Sequence, residues 1–230
     1  MKFTGLSTVV FDLDGTLCRY KMGTAEAIAA TLERTGLSPD VLGPTEDAAI
    51  RYLELWHEEE QRESDIPFRT RIWTRLLHEH GIDDPGLAAA LGNTYVEIRL
   101  PSLELEPVAL RLLSSLRARY RLGLLTNGPS EMQWPKIERF GLTRYFDAVL
   151  VAGDVGIYKP DPRVFSLLLS QLGAAATGAV YVGNSYEMDV VGAKAAGMHS
   201  IWVRTDGEAA GDSIRPDLEI DRLERLEEVL

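Results

Sequence analysis

The sequence predicts an α/β protein: a three-layer, doubly wound parallel sheet of Rossmann type, interrupted near its start by an inserted α-helical bundle. Three observations carry that expectation. From Pro107 onward, short apolar runs alternate with helical periodicity, the rhythm of repeated βα units. Residues 25–100 show helical periodicity and no convincing strand. The first strand-like run, Val9-Val10-Phe11, lies before that helical stretch, so the sheet begins ahead of the insert and resumes after it.

In chain order, the opening run leads into Asp12-Leu13-Asp14-Gly15-Thr16-Leu17, and Asp12 emerges where the buried strand reaches the sheet edge. Gly15 permits a sharp exit that keeps Asp12 and Asp14 near one point. Like charges that close call for a bound cation or a shared proton, whereas an ordinary Asp-Gly turn calls for neither. Residues 18–24 read as a polar connector containing Arg19, Tyr20 and Lys21. Helices are predicted over 25–35, 45–63, 68–80 and 87–100, with Ile50, Leu53 and Trp56 on one face of the second. Gly36, Gly81 and Pro101 end the first, third and fourth. These form a unit of their own, residues 19–103, set into a core built from 1–18 and 104–230.

The core continues with a helix over 110–119, a strand over 122–125 and the turn Thr126-Asn127-Gly128-Pro129. A helix over 131–140, a strand over 148–152 and the loop Lys159-Pro160-Asp161-Pro162 follow. Then come helix 163–172, strand 179–182, helix 188–196, strand 200–203 and a last amphipathic helix over 223–230.

Composition narrows the classes of function. With 230 residues, 45% hydrophobic and 26% charged, the chain is in the globular range. A formal net charge of -11 argues against nucleic acid as a partner. The lone cysteine, Cys18, excludes an intrachain disulfide and suits a reducing cytoplasm. No run has the length and apolarity of a signal peptide or a membrane span.

Ligands of open α/β sheets gather at the carboxyl ends of the strands. There the sequence sets Asp12 and Asp14, then Thr126 and Asn127, then Lys159 in a following loop, then Gly183-Asn184-Ser185 leading to Asp189. Paired acids, a hydroxyl, an amide and a lysine suit a phosphoryl group and a hard divalent cation such as Mg2+.

These residues resemble the motifs of the haloacid dehalogenase-like (HAD) superfamily, over nearly the whole chain. Its DxDGT motif is matched by Asp12 to Thr16, its Thr or Ser after a hydrophobic strand by Thr126, and its Lys, commonly in KPDP, by Lys159. Its GDxxxxD turn is matched at Gly183 and Asp189 but carries Asn184 in place of an acid. The helical insert is similar to the family's C1 type of cap. The resemblance implies Asp12 as a nucleophile forming an aspartyl phosphate and Asp14 as acid, then base. It implies Thr126, Lys159, Thr16 and the Asn127 backbone around the phosphoryl group. Magnesium would be held by Asp12, the Asp14 carbonyl, Asp189 and Asn184. An amide at 184 brings no charge and weakens such a site.

Arg19 and Lys21, close behind the nucleophile loop, are candidate substrate contacts; Arg69, Arg71 and Trp73 are candidates from the insert, or a solvated face and packing. Trp56 reads as part of a buried stripe, Cys18 as oxidation-sensitive or merely buried, and His78 and His80 point to different helix faces. The expected activity is Mg2+-dependent hydrolysis of a small phosphorylated metabolite by a monomer or homodimer. Alternatives are a 2-haloacid dehalogenase, which has Asn in the fourth motif but usually lacks the second Asp, a phosphomutase, a receiver-type signalling domain, and a catalytically weak phospho-ligand binder.

Overall fold

Two compact units make up the chain, residues 1–19 with 105–230 and residues 20–104. The computed structural model describes residues 3–62, 64–204 and 214–230. Strand β1 (Thr8–Phe11) opens the first unit and β2 (Cys18–Tyr20) leaves it. Helices α1 (Thr24–Arg34), α2 (Thr45–Glu59), α3 (Phe68–Glu79) and α4 (Pro85–Arg99) follow, and β3 (Leu103–Leu105) brings the chain back. Because β2 pairs with β3 in a two-stranded sheet, the expected polar connector is partly a strand. The first unit resumes with α5 (Ala109–Arg117), β4 (Arg121–Thr126), α6 (Ser130–Arg139), β5 (Ala148–Val151) and α7 (Ala152–Val155). It closes with α8 (Pro162–Leu172), β6 (Ala179–Gly183), α9 (Gly192–Ala195), β7 (His199–Val203), β8 (Leu218–Ile220) and α10 (Leu226–Val229).

The main sheet runs in the order β5-β4-β1-β6-β7-β8, every pairing parallel. Chain order reverses direction at β1, and the crevice at such a switch point is where ligands bind. Phe11 lies opposite Leu124 on β4 and Val182 on β6, so Asp12 comes next, level with the ends of its neighbours. Aliphatic strands suit this position: β1 and β6 are buried throughout and β4 at all but its first residue. On one face α8 packs Val164, Phe165, Leu168 and Leu172 against Val10, Leu125 and Tyr181. Asp161 starts that helix by accepting the Arg163 N–H at 2.9 Å, with Pro162 in its first turn.

Three departures from the expected elements bear on function or packing. The segment predicted as helix 188–196 begins as a π-helical turn over Tyr186–Val191 and becomes α-helical only at α9. The edge strand β8 was not expected, and the last helix is a 3-10 turn over Leu223–Arg225 followed by α10.

The third departure is the orientation of α2 in the second unit. Its buried face is Ala48, Ala49, Tyr52, Leu55 and Glu59, whereas Ile50 and Leu53 are 59% and 45% exposed. The aromatic interior sets this choice: the Tyr52 ring centroid lies 5.8 Å from that of Trp73 and 4.8 Å from that of Tyr95. Trp56 is therefore off the buried stripe, half-buried and edge-on to Phe68 with centroids 4.6 Å apart. Trp73 is core, not surface. Arg71 is neither solvated nor free. It donates to the Glu59 carboxylate at 2.9 Å and to the carbonyls of Glu59, Arg62 and Ile66. Arg69 donates to Asn93 Oδ1 at 2.8 Å. Residue 63, expected in the same helix as Glu59, lies outside the described residues.

Candidate active site

Asp12 follows β1 directly, and its N–H donates to the Val182 carbonyl at 2.9 Å, which ties its backbone to β6. Its side chain is buried, and Oδ1 accepts from Lys159 Nζ at 2.7 Å. The same ammonium donates to Asp189 Oδ1 at 2.6 Å and to Tyr181 OH at 3.0 Å. Tyr181 in turn donates its proton to the Leu125 carbonyl at 2.9 Å, which leaves its oxygen lone pairs toward the lysine. Thus one buried cation serves two buried carboxylates. Burial pushes the Asp12 carboxyl up to about 7; Lys159 opposes this, while Asp189 and Asp14 add to it. Burial also works against the Lys159 ammonium, but Asp12 and Asp189 outweigh it and hold its pKa well above the ordinary value.

Asp14 is in a different setting. Its side chain is 40% exposed, and Oδ2 accepts from Lys136 Nζ at 2.6 Å; the lysine comes from α6 and is itself buried. Asp14 Oδ1 has a 4.0 Å contact with Cys18 Sγ. The thiol is fully buried, and burial, with Asp14 nearby, pushes its pKa far up, so Cys18 is a packing residue and not a reactive thiolate.

Backbone geometry makes room for this cluster. Gly15 has φ 79°, and a Cβ there would come 2.6 Å from Asn184 Nδ2, so only glycine fits the turn. Asn184 Oδ1 accepts from Thr16 Oγ1 at 3.1 Å, and the Thr16 hydroxyl is 3.4 Å from Asp12 Oδ2. A Cβ on Gly183 would overlap the Asp189 carboxylate. Asp189 sits in the π-helical turn, where Oδ2 accepts the Ser185 N–H at 2.9 Å. Such turns recur at functional sites.

Thr126 ends β4 buried, its Oγ1 donating to Gln133 Oε1 at 3.3 Å or to the Asn127 carbonyl at 3.2 Å. Asn127 grips the Lys159 backbone from both sides: Nδ2 donates to the carbonyl at 3.0 Å, and Oδ1 accepts the N–H at 2.8 Å. Arg19 pairs with Glu106, and Lys21 lies 3.4 Å from Glu104. Sequence reasoning missed Lys136, Tyr181 and Gln133. One signal for two of them was available: Gln133 and Lys136 stand three apart on the face of α6 that also buries Met132 and Ile137, just after Thr126.

The chemistry open to this arrangement is nucleophilic attack by a fixed carboxylate beside a second, more accessible one, in a field of two ammonium groups. Two oxygen-bearing side chains lie close to Asp12: the Asp189 carboxylate, which shares the Lys159 ammonium with it, and the Asn184 amide, whose oxygen shares the Thr16 hydroxyl with it. Among the described residues no three acidic, histidine or cysteine side chains are grouped to hold a metal. No helix among them is long and apolar enough to cross a membrane.

The family model of haloacid dehalogenase-like hydrolases matches residues 6–197. Glyceraldehyde 3-phosphate phosphatase from Methanopyrus kandleri is 32% identical over 98% of this chain and 97% of its own. Among solved structures, the magnesium-bound HAD-hydrolase YfnB from Bacillus subtilis superposes with TM-score 0.75 at 26% identity, covering 98% of both chains. A 2-haloacid dehalogenase from Pseudomonas syringae superposes with TM-score 0.69 at 32% identity, covering 97% of both.

Proposed function

Because the chain belongs to the haloacid dehalogenase-like hydrolases, we propose that it hydrolyses a small phosphomonoester through an aspartyl phosphate on Asp12. The observation that carries this reading is the separate anchoring of two carboxylates: Lys159 holds Asp12 Oδ1 at 2.7 Å and Lys136 holds Asp14 Oδ2 at 2.6 Å. Phosphoryl transfer from an ester whose leaving group is an alcohol uses both acids, whereas expulsion of halide from carbon needs no proton donor. Asp14 therefore favours the phosphatase over the dehalogenase, despite Asn184.

In the first step an Asp12 carboxylate oxygen attacks phosphorus as the bond to the leaving oxygen breaks, and Asp14 gives that oxygen a proton. In the second, water attacks the aspartyl phosphate, Asp14 takes its proton, and the Asp12 oxygen departs. Lys159 and the Thr126 hydroxyl hold phosphoryl oxygens throughout, and Asn127 keeps the Lys159 backbone in register. The residues suit a hard divalent cation, because two buried carboxylates, Asp12 and Asp189, share a single ammonium. Held by Asp12, the Asp14 carbonyl, Asp189 and Asn184, Mg2+ would supply the charge that keeps Asp12 ionised and polarises the phosphoryl group.

The test is phosphate release from p-nitrophenyl phosphate with and without Mg2+, beside halide release from 2-chloropropionate. Metal-dependent phosphate release with no halide is the expected result. Halide release, or turnover of neither, overturns the reading.

A further inference from the structure

We infer that Lys136 is a positioning residue for proton transfer: it fixes the Asp14 carboxylate by one oxygen so that the other faces the reacting oxygen. This rests on the phosphatase reading of the same site. The geometry is specific. Lys136 Nζ donates to Asp14 Oδ2 at 2.6 Å, and the lysine side chain is only 4% exposed while the aspartate is 40% exposed. The ammonium is thus inside the fold and the carboxylate at its edge, an arrangement suited to holding an acid in place rather than to meeting a substrate.

The two oxygens of Asp14 are not equivalent. Oδ2 takes the charge-assisted bond, and Oδ1 has the weak 4.0 Å contact with Cys18 Sγ. An aspartate on a turn beside Gly15 has two free side-chain torsions, and proton transfer requires one orientation within hydrogen-bond reach. Lys136 selects it. The helix bearing Lys136 also sends Gln133, three residues earlier, to the Thr126 hydroxyl. One buried face of α6 thereby fixes both the proton carrier and the phosphoryl-binding hydroxyl. Lys136 itself exchanges no proton in this scheme.

The test is the leaving-group dependence of kcat/KM, which reports the phosphorylation step. p-Nitrophenolate departs readily without a proton; phenolate does not. K136M is expected to lose roughly tenfold or more in kcat/KM on phenyl phosphate beyond its loss on p-nitrophenyl phosphate, and K136R to recover part of the difference. Equal losses on both esters would overturn the inference. Should K136M fold poorly, the double variant D14N/K136M removes both charges and is compared with D14N on p-nitrophenyl phosphate. A difference below about twofold is expected, since Lys136 acts only through Asp14. A larger further loss contradicts it. Wild-type turnover separates the two claims: if wild-type enzyme hydrolyses neither ester, the phosphatase reading fails and takes this one with it. If it hydrolyses both and the variant losses are equal, only Lys136's role fails.

Discussion

Asn184 brings an oxygen to the site without a charge, and its amide already accepts from Thr16 at 3.1 Å. Cation affinity rises with the number of ligand charges, so N184D is expected to lower the Mg2+ concentration for half-maximal activity by roughly an order of magnitude. A metal titration of activity checks it; an unchanged or raised requirement places Asn184 outside the metal's reach. Gly183 is constrained by space. A Cβ there meets the Asp189 carboxylate, so G183A displaces the partner of Lys159 and costs about 1 to 3 kcal/mol of stability, readable in urea unfolding. At this scale the sequence was most legible where a residue's chemistry is unusual for its place: Asp12, Thr126, Lys159 and Asp189 end strands or open turns, and the fold buries all four. Lys136 was easily passed over because a lysine in a charged helix reads as surface, and only its place on the face of α6 that carries Met132, Gln133 and Ile137 marks it as turned inward.

Among the elements, α2 shows how periodicity misleads. Ile50, Leu53 and Trp56 make the more apolar stripe, yet the inward face is the one that ends on Glu59. That carboxylate is buried and receives Arg62 at 2.7 Å, Arg71 at 2.9 Å and Arg75 at 3.0 Å. Burial raises its pKa, but the three guanidinium groups outweigh that and hold it below the ordinary glutamate value. A depressed carboxylate stabilises the fold above its unfolded pKa, and the contribution is lost as pH falls below about 4.5. E59Q should cost about 2 kcal/mol at neutral pH, less than a fully buried pair because Arg62 and Arg75 reach solvent. It should also flatten the acid limb of the stability profile. Chemical denaturation across pH measures both, and a wild-type acid limb in E59Q would contradict the assignment. No pattern of hydrophobicity announces such a cluster; three arginines must first be brought to one acid by helix packing. Short strands escaped for a related reason: β2, β3 and β8 are three residues each, too brief for a period to register.

For the molecule as a whole, the alternation of apolar runs and helices was enough to anticipate the parallel sheet, because strands buried on both faces leave little choice of composition. The π-helical turn at Tyr186–Val191 was not, since one shifted hydrogen bond leaves no compositional mark. Each unit has its own buried residues: Leu76, Trp73 and Tyr95 in residues 20–104, Val9, Phe11 and Leu124 in the other. L76A should therefore cost about 2 to 5 kcal/mol and speed amide exchange within 20–104, leaving the central strands of the sheet protected. Uniform loss of protection would mean the two units unfold as one. The central claim is that Asp12 takes the phosphoryl group. Acid quenching of the Mg2+-loaded enzyme during turnover of p-nitrophenyl phosphate, followed by peptide mapping, tests it directly. The account predicts a phosphorylated Asp12 in the wild-type protein and neither label nor turnover in folded D12N. Steady turnover by D12N, or a phosphoryl group found on another residue, would contradict it.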